Sequence, residues 1–255
     1  MKLRFLGTGT STGNPEIGCR CEVCTSPDTK DHRLRASALV ETEGRHILLD
    51  CGPDFRMQML DVFRTHPIER LDAVLITHEH YDHVGGLDDL RIFSRDEAVN
   101  VYAESYVANR IQQRIPYVFK ERKYPGVPNL NLCEIKNKPF LVEGIEIIPI
   151  RLMHGRLPVF GYRIGNLAYL TDLKIIPKNE YAKLENLDVL IINALRKEPH
   201  LSHETIDDAL ANIARIRPGK AFLIHMNHGF GLHEVMQKTL PENVFIAYDG
   251  LEIYV

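Results

Sequence analysis

The stretch Thr77-His78-Glu79-His80-Tyr81-Asp82-His83 constrains this 255-residue chain more than any other part of it. Three histidines and an aspartate fall within six residues, directly after the apolar run from Leu71 to Ile76, which reads as a buried strand. Ordinary composition makes such a loop improbable as mere surface polarity. Three imidazoles and a carboxylate at a strand end read instead as half of a two-metal site. In an extended segment His78, His80 and Asp82 share one face, while His83 turns to the other. One short loop can then serve two metals, with the imidazole pair on one ion and Asp82 with His83 on its neighbour. Imidazole and carboxylate suit zinc, and also manganese or iron, so the residue types leave the metal open.

As H-x-H-x-D-H, these residues are the motif of the metallo-β-lactamase superfamily, which the chain resembles over nearly its whole length. The resemblance implies an α/β fold of the α+β type, the αββα sandwich, with further ligands at later strand ends. His154 follows the apolar run Ile145 to Ile150, Asp172 follows Leu167 to Thr171, and His225 follows Ala221 to Ile224. They match the superfamily's third histidine, bridging aspartate and last histidine. The resemblance thus implies two divalent ions, zinc or manganese. His78, His80 and His154 would hold one, Asp82, His83 and His225 the other, and Asp172 would be shared. Asp50, in Leu49-Asp50-Cys51-Gly52, matches another superfamily aspartate, expected to orient a ligand histidine or the first loop. From its neighbours alone it is equally a turn aspartate before Gly52.

Nothing in the remaining sequence argues for a second domain. The chain has no Pro/Ser/Gly-rich linker, low-complexity tract or internal repeat, and short strands punctuated by Gly and Pro continue throughout, so residues 1–255 read as one unit. A hydrophobic content of 44% suffices for a core, and the apolar runs are far too short to span a bilayer. Met1 to Gly7 begins a strand without a signal-peptide cleavage pattern, from which a cytoplasmic, non-membrane protein is expected. The net charge of −3 gives no general attraction to nucleic acid. One basic cluster, Arg110, Arg114, Lys120, Arg122 and Lys123, reads as a solvated helix face and loop in a helical region from Asn100 to Tyr124 that could be a lid or an interface.

Five cysteines in such a chain are not a disulfide set. Cys19, Cys21 and Cys24 form a C-x-C-x-x-C knuckle able to place three thiolates around one tetrahedral ion. Nearby Asp28 and His32 are weaker candidates for the fourth ligand than distant His228, in His225-Met226-Asn227-His228. The knuckle, placed after Gly7-Thr8-Gly9-Thr10 and combined with this H-x-x-H, resembles the PhnP-type cyclic phosphodiesterases. That resemblance implies a third, structural zinc on Cys19, Cys21, Cys24 and His228, and suggests a homodimer. A thiol switch that releases zinc on oxidation is an alternative for the same loop. Cys51 and Cys133 read as small buried hydrophobes.

By the same resemblance His203, in Leu201-Ser202-His203-Glu204-Thr205, is a non-ligand active-site histidine. Ser202 reads as a possible N-cap of a helix from Glu204 to Ile216, a position from which His203 can reach a phosphate. His200 could take this role instead, whereas His32, His46, His66 and His233 read as surface residues. The run Leu190 to Arg196 departs from the family by ending in Asn193 and Arg196. Arg196 could bind substrate phosphate or simply cap the strand.

The implied chemistry is hydrolysis of small, often cyclic, phosphodiesters such as phosphoribosyl cyclic phosphate or 2′,3′-cyclic nucleotides. Two adjacent divalent ions would lower the pKa of a shared water toward neutrality, and it would attack phosphorus in line with the leaving oxygen. Asp172 and Asp82 would hold the ions, and His203 would stabilise the charged state or protonate the leaving group. The alternatives are tRNA 3′ processing of the ribonuclease Z kind and hydrolysis of a non-phosphate ester or thiolester. The chain has no long Gly/Pro-rich arm to grip tRNA, and only the phosphodiesterase reading accounts for the cysteine knuckle.

Overall fold

The chain is described by a computed structural model in every residue except Lys123, so that member of the basic cluster lies outside the described residues. Among the described residues, fourteen strands form two seven-stranded sheets. The first sheet contains β1 (Lys2–Gly7), β2 (Ser37–Thr42), β3 (Arg45–Leu49), β4 (Ala73–Leu75), β5 (Val99–Glu104) and β6 (Leu130–Ile135). The second contains β7 (Phe140–Val142), β8 (Ile145–His154), β9 (Leu157–Ile164), β10 (Leu167–Leu170), β11 (Val189–Asn193), β12 (Lys220–Ile224) and β13 (Val244–Ile246). The last strand, β14 (Glu252–Tyr254), returns to the first sheet beside β1.

Each sheet is half antiparallel and half parallel. Pairing is antiparallel from β14 to β3 and parallel from β3 to β6. In the second sheet it is antiparallel from β7 to β10 and parallel from β10 to β13. Parallel strands need crossover helices, and these cover the outer faces. The helices α1 (Phe55–Thr65), α2 (Tyr81–Val84) and α3 (Ser105–Arg114) pack on the first sheet, and α4 (Ile206–Ile216) and α5 (His233–Gln237) on the second. A middle cluster joins Leu3, Phe5, Val40 and Ile47 of one sheet to Phe160, Tyr162, Ile191 and Phe222 of the other. The result is the αββα sandwich that the motif implied.

Two expected elements differ. The helix placed over Glu204 to Ile216 starts later, because Thr205 makes a capping box with Asp208 in both directions at 3.1 Å and so displaces Ser202 as the N-cap. In the region from Asn100 to Tyr124, alternating burial extends β5 to Glu104, and the helix is only Ser105–Arg114. Arg110, Arg114, Lys120 and Arg122 are exposed, as a solvated face requires. Among the described residues, no helix is long and apolar enough to cross a membrane.

The two sheets are also fastened together next to the motif. The buried Tyr162 of β9 donates its hydroxyl to the carbonyl of Ile76 at 2.6 Å, and Phe160 N donates to Thr77 O at 3.1 Å. Replacing Tyr162 by Phe leaves that carbonyl unsatisfied in a dry core. The substitution should cost about 1–3 kcal/mol of stability in urea titrations without changing the m-value.

Candidate metal centre

The functional side chains lie at the carboxyl ends of the strands, where open parallel sheets leave a crevice. Asp50 follows β3, Asp172 stands two residues past β10, and His225 follows β12. All three adopt left-handed backbone (φ 60°, 51° and 59°), which turns the chain abruptly at the strand end. Such conformations cost non-glycine residues about 1–3 kcal/mol and persist where surrounding contacts over-determine them.

Asp172 is buried and uses its two oxygens differently. Oδ1 lies 2.9 Å from His225 Nε2 and 3.2 Å from His83 Nε2. Oδ2 lies 3.7 Å from His78 Nε2 and 4.0 Å from both His154 Nε2 and His203 Nε2. His78 Nε2 and His80 Nδ1 are 2.9 Å apart, and Asp82 Oδ2 stands 3.2 Å from His83 Nε2 and 3.5 Å from His225 Nε2. Two groups result, His78, His80, His154 and Asp172, and Asp82, His83, Asp172 and His225. In each, the donor atoms lie within 4.8 Å of one another.

Hydrogen bonds at the far side of three rings select which nitrogen is free. His83 Nδ1 is 2.7 Å from Asp50 Oδ2, His154 Nδ1 is 2.9 Å from Ser202 O, and His78 Nδ1 is 3.0 Å from Thr77 Oγ1. Each contact leaves Nε2 with a lone pair toward Asp172. The Nε2 atoms of His83 and His225 are buried and make no hydrogen bond despite the nearby carboxylates. Imidazole nitrogens and carboxylate oxygens that converge without hydrogen-bond geometry fit a shared cation.

The electrostatics agree. Burial opposes a charge on Asp172, yet the imidazoles of His225 and His83 outweigh it and draw the carboxyl well below its ordinary range. Burial likewise opposes a charge on His83, but Asp172, Asp82 and Asp50 raise it well above the usual histidine value. Against burial, Asp172 and Asp82 also lift His225 to about 9. The pocket therefore demands positive charge between its carboxylates, which a divalent cation supplies. Burial pulls His203, outside both groups, down to about 3, and His203 Nδ1 has no partner.

The cysteine knuckle meets His228. Its Nδ1 lies 3.1, 3.5 and 3.4 Å from the Sγ atoms of Cys19, Cys21 and Cys24. A tetrahedral zinc with Zn–S of about 2.3 Å and Zn–N of about 2.0 Å gives an S···N edge of roughly 3.5 Å, so the cluster fits that ion. The Glu16 carboxylate stands 3.8 Å from His228 Nε2, and Glu16 N donates to Cys24 Sγ at 3.4 Å. Burial pushes the Cys24 thiol up to about 11, whereas the backbone N–H of Cys24 draws Cys21 down to about 7, so the cluster holds at least one ready thiolate beside His228.

Several residues differ from the sequence reading. Asp82 does not share an extended face with His78 and His80, because it lies with His83 in the short helix α2, which carries both to the second group. Asp50 is no simple turn residue: it accepts from Thr77 N at 2.9 Å and Thr77 Oγ1 at 3.0 Å as well as facing His83. His233 is buried, not a surface residue, with Nδ1 receiving Arg33 Nη2 at 3.2 Å and its backbone N–H donated to Asp31 at 2.7 Å. Cys133 is only half-buried, whereas Cys51 is fully buried. Arg196 clamps its own loop through the carbonyls of Glu198 and Pro199 at 3.3 and 3.2 Å. Asn193 Oδ1 receives Leu173 N at 2.5 Å, which fixes the peptide after Asp172. Sequence reasoning did not single out Thr77, Glu16 or the carbonyl of Ser202; only adjacency to the first motif could have signalled Thr77.

Residues 45–226 match the model of a β-lactamase superfamily domain, and the chain belongs to that superfamily. Its two His/Asp groups stand where a fold of this kind can hold metal ions. Within the superfamily it is PhnP-like: a solved diphosphatase of the PhnP family superposes with a TM-score of 0.92 at 35% identity, covering 99% of this chain and 96% of that one. A protein of Porphyromonas gingivalis named octanoyltransferase is 48% identical over 99% of this chain, which spans only 51% of that relative's length. Coenzyme PQQ synthesis protein B of Methylobacterium radiotolerans is 37% identical, with 99% of each chain covered.

Two outcomes follow. Asp50→Asn should weaken metal binding about 10–100-fold in chelator competition with the fold retained, because His83 loses its orienting carboxylate. Glu204 lies beside His203 with Oε2 unpartnered, and burial followed by the charge of Asp208 raises its carboxyl to about 8. A folded-state pKa above the ordinary 4.5 means that the stability Glu204 contributes at low pH is lost as pH rises through about 8. Glu204→Gln should therefore gain about 1–3 kcal/mol over the parent at pH 9, measured by denaturant unfolding, and nothing at pH 4.

Proposed function

We propose that the chain holds two divalent ions, zinc or manganese, and hydrolyses small phosphate diesters, including cyclic phosphodiesters and diphosphate esters. The observation that carries this reading is the division of Asp172, with Oδ1 toward His83 and His225 and Oδ2 toward His78 and His154. His78, His80, His154 and Asp172 would hold one ion, and Asp82, His83, His225 and Asp172 the other. Two ions there would supply Lewis acidity to a phosphoryl oxygen and lower the pKa of a water. Against its burial, His225 and His83 hold the Asp172 carboxyl well below its ordinary range, and it is common to both groups. His203, 4.0 Å from Asp172 Oδ2 and outside both groups, is placed to donate a hydrogen bond from its neutral ring to a phosphoryl oxygen. Cys19, Cys21, Cys24 and His228 would carry a separate structural zinc that ties the N-terminal loop to the His225 loop.

The likeness to a PhnP-family diphosphatase favours phosphate over carboxyl esters. A second reading, hydrolysis of an acyl ester or thiolester, is favoured by the name of the octanoyltransferase relative. One experiment separates them. Metal-counted protein is assayed on bis(p-nitrophenyl) phosphate, 2′,3′-cyclic AMP, ADP-ribose, a precursor tRNA and an octanoyl thioester. About three ions per chain and turnover of the small phosphates, abolished by chelation, are expected. His203→Ala should keep its metals and lose about 10²–10⁴-fold in kcat. Cleavage of tRNA alone or of the thioester alone overturns the reading, and equal loss of metal in His203→Ala reassigns that residue as a structural support.

A further inference from the structure

His200 stands one step outward from His203, with ring centroids 5.1 Å apart, while His203 lies 4.5 Å from the ring of His154 and 4.0 Å from Asp172 Oδ2. A line of imidazoles thus runs from the bridging carboxylate toward the rim. The backbone N–H of Ser202 donates to His200 Nδ1 at 3.3 Å, with Ser202 Oγ at the same distance. An N–H can only donate, so Nδ1 is the acceptor and the neutral ring carries its proton on Nε2. Burial, then Arg196 and Lys174, the latter paired with Asp208 at 2.9 Å, lower the pKa of His200 and favour its neutral ring. Arg196 holds the carbonyls of Glu198 and Pro199 and thereby shapes the turn that delivers His200. Ser202 also accepts from His154 through its carbonyl, so a single residue aligns His200 with a candidate metal ligand.

We infer that His200 is a specificity-determining residue whose Nε2–H donates to the second phosphate of a diphosphate ester while the first sits beside Asp172 and His203. This rests on the phosphate-ester reading above and narrows it to substrates with two phosphoryl groups joined through one oxygen. In the reaction water adds its hydroxyl to the phosphorus beside Asp172. The bond from that phosphorus to the bridging oxygen breaks, the electron pair leaves on the second phosphate, and both protons of the water pass to solvent or to the product phosphates. The leaving phosphate gains a negative charge as the bond breaks, and a fixed donor at the rim stabilises that charge where it develops. A single-phosphate diester has no second phosphoryl group to reach this donor.

The test compares kcat/KM for ADP-ribose with that for bis(p-nitrophenyl) phosphate in the wild type, His200→Ala and His200→Gln, at equal metal content. His200→Ala should lose about 10–100-fold on ADP-ribose, the worth of a hydrogen bond to a charged oxygen. It should lose no more than about twofold on the single-phosphate diester, as for a change remote from the reacting group. His200→Gln, which keeps an N–H donor, should recover most of the loss. Equal losses on both substrates overturn the inference alone, by assigning His200 to the support of Ser202 and His154. Wild-type inactivity on both overturns the phosphate-ester reading and this subsite with it.

Discussion

The buried carboxylate of Asp172 is the constraint around which the site is arranged. A lone carboxylate away from water is unstable unless it is paired or charged groups surround it. Here four imidazole nitrogens approach it within 4.0 Å, two on each oxygen, besides His203. Each of those imidazoles must present a lone pair or a proton as the centre requires, so the far nitrogen matters. Asp50, Thr77 and Ser202 settle it for His83, His78 and His154. The left-handed residues at the ends of β3, β10 and β12 are the backbone expression of the same demand. Charge complementarity at one point thus accounts for conformations that would be unfavourable elsewhere.

The sandwich makes this convergence possible because both sheets deliver candidate ligands to one edge. β4 and the short helix behind it carry His78, His80, Asp82 and His83, while β8, β10 and β12 of the other sheet carry His154, Asp172 and His225. The inter-sheet bonds from Tyr162 to Ile76 and from Phe160 to Thr77 set the distance between the two contributions. The N-terminal loop is fastened from the other side: Met226 N donates to Thr8 O at 3.2 Å, Thr10 N donates to Met226 O at 3.0 Å, and the cysteine cluster closes on His228. His225 is therefore followed by two anchors within three residues.

Much of this was legible in the residues. The residues of the dense first motif do gather with the later His and Asp residues, and apolar runs before His154, Asp172 and His225 marked strand ends. The knuckle with its distant histidine named four residues that now lie together. Less legible was anything that depends on a backbone atom from elsewhere in the chain. The carbonyl of Ser202 has no sequence signature, and the capping box at Thr205 competed successfully with the serine that looked like the N-cap. His233 looked like a surface histidine because its partner, Arg33, is 200 positions away and buried with it.

By itself the sequence determined the candidate ligand types, their order and the strand-end positions, because metal chemistry restricts the side chains and hydrophobic period restricts the strands. Only the tertiary structure decided which oxygen of Asp172 faces which histidines. The same holds for Asp82, which joins His83 in a helical turn away from His78 and His80, and for the nitrogen that each ring turns inward. These are matters of a few ångströms set by contacts between segments far apart in the chain, and local residue patterns carry no record of them.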